Sequence, residues 1–96
     1  MTSDGNKVTQ EAEIPNAEGL HARPVMAFVD VASRYAATVK VCNKSRNGEF
    51  VDGKSAMQMM LLEGTQGCVL QIVADGPDAS EAVDALVRLI ESGFSG

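Results

Sequence analysis

The run Cys68-Val69-Leu70-Gln71-Ile72-Val73-Ala74 is the most apolar strand-forming stretch of the chain, and it follows directly on Gly64-Thr65-Gln66-Gly67. A short, nearly continuous apolar run bounded by turn residues predicts a strand inside a sheet rather than at its wet edge. It is far too short to cross a membrane, and no other window comes near the length a span needs. The chain must therefore wrap other elements around this strand. With 96 residues it has room for one core and not two.

The flanking segments supply those elements. Lys7 to Ile14 alternates loosely, with Val8, Ala12 and Ile14 opposed to Thr9, Glu11 and Glu13, as a half-buried strand does. Pro15-Asn16-Ala17-Glu18-Gly19 breaks it. Ala22 to Ala37 sets Val25, Phe28, Val29, Ala32 and Ala36 at helical spacing, with Asp30, Ser33 and Arg34 on the other side. Thr38 to Cys42 reads as a second strand, Asn43 to Gly48 as a turn, and Glu49 to Asp52 as a returning hairpin partner. Ala56 to Leu62 is strongly helical and ends at Glu63-Gly64. A last helix, capped by Asp78 or Ser80, would bury Ala82, Val83, Leu86, Leu89 and Ile90 and stop near Ser92-Gly93. Residues 1–6 read as a disordered tail and 7–96 as the folded domain. The order β-α-β-β-α-β-α predicts an α+β, open-faced β-sandwich: a four-stranded, mainly antiparallel sheet with three helices on one face.

Charge and cysteine content narrow the partners. Thirteen acidic residues against eight basic ones leave a net charge of −5, which argues against nucleic acid as a main partner. Cys42 and Cys68 read as small buried hydrophobes, with a disulfide open only if their strands are neighbours. The lone histidine lies too far away to suggest a metal site, and neither a metal nor a cofactor is expected. The polar start of the chain lacks an apolar signal segment, so the reading is cytoplasmic without membrane insertion, and a monomer is expected.

The chemistry concentrates in Gly19-Leu20-His21-Ala22-Arg23-Pro24. Pro24 suits the first helical turn, where the missing N–H breaks no bond. His21, the only histidine, then stands at a helix N-terminus, where free N–H groups and the dipole favour an anion. The dipole works against a cationic ring by roughly 0.3–1 kcal/mol, leaving a nucleophilic imidazole. Arg23 adds a forked guanidinium suited to phosphate oxygens. Together they form a phosphoryl-accepting kit, although spacing alone also fits, and rather better, a helix-capping or loop histidine beside a solvated arginine. Ser55 precedes the second helix, as an N-cap or as a site where an added phosphate would favour the helix end. Met57, Met59 and Met60 crowd that helix, either as core filler or as an adaptable docking patch.

With the run Val51-Asp52-Gly53-Lys54-Ser55-Ala56-Met57, with Gly64-Thr65-Gln66-Gly67 and with the ending Leu89-Ile90-Glu91-Ser92-Gly93-Phe94, the sequence resembles the HPr family. These are the histidine-containing phosphocarriers of the bacterial sugar phosphotransferase system, and the resemblance runs from about Lys7 to the end of the chain. It implies that His21 takes a phosphoryl group from Enzyme I on the ring nitrogen nearer the backbone and passes it to an Enzyme IIA domain. Arg23 would hold that group and Pro24 would set the helix start. Ser55 would be the target of an HPr kinase/phosphorylase, and Ala22, Met26, Ala56, Met57 and Met60 would form the docking surface. The resemblance leaves open a mainly regulatory carrier or the nitrogen-related paralogue, which shares the Gly-x-His-Ala-Arg-Pro motif. The intact Asp52-Gly53-Lys54-Ser55 run favours the carbohydrate type. The chain departs from the family pattern at Ala56, where a larger aliphatic is usual, and at Glu63, where Gly is common. Asp30, Ser33 and Gln58 stand where many relatives carry Lys.

Overall fold

A computed structural model describes residues 6–46 and 48–95. The elements are β1 (Lys7–Glu13), α1 (Ala22–Ala32), β2 (Thr38–Asn43), β3 (Val51–Asp52), α2 (Ala56–Met60), β4 (Val69–Asp75) and α3 (Ala79–Glu91). The expected tail, residues 1–6, lies outside the described residues except for Asn6, whose carbonyl accepts a 3.1 Å bond from the N–H of Gly76.

The apolar run becomes β4, and it is inside the sheet: the strand order is β1-β4-β2-β3. All three pairings are antiparallel. Lys7 to Glu13 faces Asp75 to Val69, Thr38 to Asn43 faces Asp75 to Leu70, and Lys40 and Val41 face Asp52 and Val51. The alternate residues Leu70, Ile72 and Ala74 are fully buried, while Gln71 and Val73 between them are only half-buried. That difference is the mark of a sheet covered on one face. Val39 and Val41 join this inner layer, and Val25, Phe28, Val83, Leu86 and Ile90 from α1 and α3 close it. Full burial of each such side chain stabilises the fold by about 1.5–3 kcal/mol. The open-faced sandwich is the observed architecture.

Several expected boundaries shift. α1 stops at Ala32 rather than Ala37, and Ala36 is exposed. The N–H groups of Ala36 and Ala37 each donate to the Asp78 carboxylate at 2.8 Å. A remote side chain thereby takes donors that a longer helix would have paired internally. The same commitment leaves Asp78 at the N-cap of α3 with no capping bond of its own, and Ser80 lies exposed within that helix. The hairpin partner Glu49–Asp52 shrinks to Val51–Asp52, and α2 ends at Met60. Leu62 is nonetheless buried. Its carbonyl accepts a 3.1 Å bond from Asn43 Nδ2, so this buried amide is satisfied. The cysteines are free and buried although β2 and β4 are neighbours. Cys42 faces Gln71 while Cys68 lies beside Thr65.

Candidate functional site

The loop that precedes α1 is tied to the loop that precedes β4. Ile14 N–H donates to the Cys68 carbonyl, Gly67 N–H to the Ile14 carbonyl and Leu20 N–H to the Gly64 carbonyl, each at 2.9 Å. Inside the loop, Gly19 N–H donates to the Asn16 carbonyl at 3.2 Å, and Asn16 Nδ2 donates back to the Gly19 carbonyl at 3.0 Å. Glycine is required at position 19 on two grounds. Its φ is +67°, and a Cβ there would stand 2.5 Å from the Gly64 oxygen and 2.9 Å from Thr65 Cα. Pulled in this way, Leu20 is buried and the next residue, His21, emerges on the surface.

His21 is the N-cap of α1, with φ −95° and ψ −168°. Its carbonyl accepts the first helical bond, 3.0 Å from Val25 N–H. The N–H groups of Ala22 and Arg23 precede that bond and have no place in the ladder, and Pro24, buried in the same turn, has none to offer. The imidazole makes no capping bond. It is exposed, with Nε2 3.5 Å from Glu18 Oε1. Arg23 is exposed and enters none of the ion pairs formed among the described residues. The site thus offers a free nucleophile, two outward N–H groups and an uncommitted guanidinium to an anion.

The second motif is built by local bonds. Asp52 Oδ1 accepts from Lys54 N–H at 2.9 Å, and Lys54 Nζ donates to the Tyr35 carbonyl at 2.7 Å. A Cβ on Gly53 would meet Val39 Cγ1 at 2.6 Å. Ser55 is the N-cap of α2, and its Oγ accepts from Gln58 N–H at 3.2 Å. Ser55 and Ala56 are both half-buried.

α1 and α2 pack against each other and leave an apolar surface. Met57 is 80% exposed, Met26 57% and Met60 46%, whereas Met59 is fully buried. The methionine cluster is therefore both core and patch. Two residues escaped the sequence reading. Leu61, 68% exposed, extends the patch because α2 ends one residue earlier. Glu18 reaches His21 from three positions upstream in the loop, where no helical spacing signalled the contact. No group of three His, Cys, Asp or Glu residues able to hold a metal occurs among the described residues. No helix there is long and apolar enough to cross a membrane.

The family model described as "PTS HPr component phosphorylation site" matches residues 8–92. Phosphocarrier protein HPr of Pseudomonas aeruginosa is 45% identical over 85 residues, covering 88% of this chain and 91% of its own. Phosphocarrier protein NPr of Proteus mirabilis is 40% identical over 83 residues, covering 84% and 88%. The multiphosphoryl transfer protein of Haemophilus influenzae is 38% identical across 98% of this chain, which spans only 20% of that longer protein. Among solved structures, HPr of Bacillus anthracis superposes with a TM-score of 0.80 at 32% identity, covering 88% of this chain and 96% of that one.

Proposed function

The chain belongs to the HPr family of phosphocarriers, and from that membership we propose that His21 accepts a phosphoryl group from phospho-Enzyme I and delivers it to an Enzyme IIA domain in sugar uptake. The observation that carries this reading is the exposed imidazole of His21 at the start of α1, beside unpaired N–H groups and a free Arg23. In the accepting step a ring nitrogen lone pair of His21 attacks phosphorus. The N–P bond of the donor's phosphohistidine breaks, and its electron pair returns to the donor ring. The Ala22 and Arg23 N–H groups and the Arg23 guanidinium meet the oxygens of the arriving phosphoryl group, so its charge is matched by groups already in place. Pro24 fixes the helix start that aims them. Ala22, Met26, Ala56, Met57 and Met60, with Leu61, form the surface on which donor and acceptor dock in turn.

Ser55 is the regulatory position in this reading, modified by an HPr kinase/phosphorylase. Its Oγ caps α2, so a phosphate there alters the docking surface without touching His21. We place the carrier in the cytoplasm as a monomer that needs neither cofactor nor metal and does not bind nucleic acid. The match to an NPr supports a second reading, a nitrogen-type or mainly regulatory carrier that uses the same histidine.

The deciding experiment incubates the chain with Enzyme I and phosphoenolpyruvate and assays acid-labile phosphate. Wild type takes up one equivalent per His21 and His21→Ala takes up none; label on His21→Ala, or none on wild type, overturns the reading. Onward transfer to sugar-type and nitrogen-type IIA domains then separates the two pathways.

A further inference from the structure

From the Glu18–His21 contact we infer that Glu18 is a positioning residue for phosphoryl transfer: its carboxylate holds the proton of His21 on Nε2, so that the Nδ1 lone pair is presented to phosphorus. This rests on the reading of His21 as the acceptor. A neutral imidazole carries its proton on one nitrogen and its reactive lone pair on the other, and the partner of the first decides the assignment. Here only one ring nitrogen has an anionic partner. Glu18 Oε1 lies 3.5 Å from Nε2, within ion-pair reach. Such contacts are commonly long before the reacting complex forms. The imidazole makes no bond to the first turn of α1 that would select the opposite tautomer.

The backbone around Glu18 is fixed rather than adventitious. The Asn16–Gly19 turn is closed by a bond in each direction, and Leu20 is anchored to Gly64. Glu18 therefore leaves a turn that is held in place, with its carboxylate at the Nε2 edge of the ring. Nδ1, nearer the backbone, has no such partner and is the nitrogen left for phosphorus.

The step balances on this arrangement. Nδ1 forms the new N–P bond as the donor's N–P bond breaks and its electron pair returns to the donor nitrogen. The Nε2 proton stays on His21, so the phosphorylated ring is an imidazolium, and the positive charge that develops faces the Glu18 carboxylate. In the delivering step the N–P electron pair returns to Nδ1 and the ring is neutral again. Glu18 attracts the charged ring more than the neutral one, which is the differential interaction a catalytic contribution requires.

The test uses the full chain, labelled with nitrogen-15, with Glu18→Ala and Glu18→Gln. The nitrogen chemical shifts of His21 report the tautomer ratio, and the phosphoenolpyruvate and Enzyme I assay gives kcat and KM. In Glu18→Ala the preference for Nε2–H falls about three-fold, the scale of one exposed ion pair, and kcat falls with it while KM holds. Glu18→Gln, which keeps an acceptor oxygen but no charge, retains more of the tautomer preference than of kcat. An unchanged tautomer ratio in Glu18→Ala overturns the inference, whether or not kcat falls, and leaves His21 as the acceptor. Absence of label on wild type overturns both.

Discussion

Asp78 and Ala37 meet across 41 positions of sequence: the N–H of Ala37 donates at 2.8 Å to Oδ1 of the Asp78 carboxylate, whose Oδ2 accepts from Ala36 N–H at the same distance. One side chain at the start of α3 therefore holds the segment between α1 and β2 and sets the entry to β2. The bond from Ala36, with that from Ala37, holds the Asp78 carboxyl below its ordinary range, against a smaller opposing effect of burial. A carboxylate lowered on folding contributes stability that is complete above its unfolded value of about 3.9 and is lost as pH falls through the lower folded value. Glu and Asp residues that gain nothing on folding do not add to this loss. Urea melts of wild type and Asp78→Asn should therefore differ most near neutrality, with wild type the more stable, and converge at strongly acidic pH.

Gly19→Ala should be among the most damaging single changes outside the core. The new Cβ meets the Gly64 carbonyl oxygen at 2.5 Å, and the φ of +67° strains any side chain. Backbone opposes it on one side, so relief requires breaking the Leu20–Gly64 bond. We expect a loss of about 2–4 kcal/mol in chemical denaturation, together with reduced phosphoryl uptake because His21 is lifted from the first turn of α1.

The methionines of α2 should separate cleanly. Met59→Ala empties a fully buried position and should cost about 2–5 kcal/mol in urea melts. Met57→Ala removes a side chain that is 80% exposed and should leave stability within about 0.5 kcal/mol. Association with Enzyme I or a IIA domain, followed by titration calorimetry, should instead weaken by about ten-fold or more for Met57→Ala combined with Leu61→Ala.

The absence of Lys at Asp30 and Gln58 predicts a kinetic signature. Asp30 is exposed and pairs with Arg34 at 2.8 Å, and Gln58 is exposed on α2. Replacing both by Lys should raise the association rate with an acid-faced Enzyme I about ten-fold at low ionic strength and by less at high salt. The dissociation rate should change little, since rim charges act mainly on encounter. Stopped-flow mixing over a salt series measures both.

The place of His21 and Pro24 at the start of α1 was legible because a proline in a first turn has a local physical reason to stand there. The sheet and the burial pattern of α3 were legible through periodicity. What escaped reading was set by residues distant in sequence. Alanine-rich spacing carried α1 on to Ala37, and nothing near Ala36 announces that Asp78 will take its N–H. Glu18 reads as a solvated loop acid until the Asn16–Gly19 turn brings it to His21. Glu63 departs from a common Gly, yet it holds a φ of 52°, so the backbone has kept the shape that glycine serves.

The ties between the two loops bear on when the protein becomes competent during synthesis. His21 and Arg23 leave the ribosome early, but the loop that presents them is pinned by Gly64, Gly67 and Cys68, and β1 has no partner until β4 exists. A nascent chain released at about residue 60 would carry His21, Arg23 and Pro24 and still lack the Gly64–Cys68 segment that pins their loop. On the proposed reading of His21, such early products would not draw phosphate from the donor, because the loop that presents the imidazole is assembled by the chain's later half.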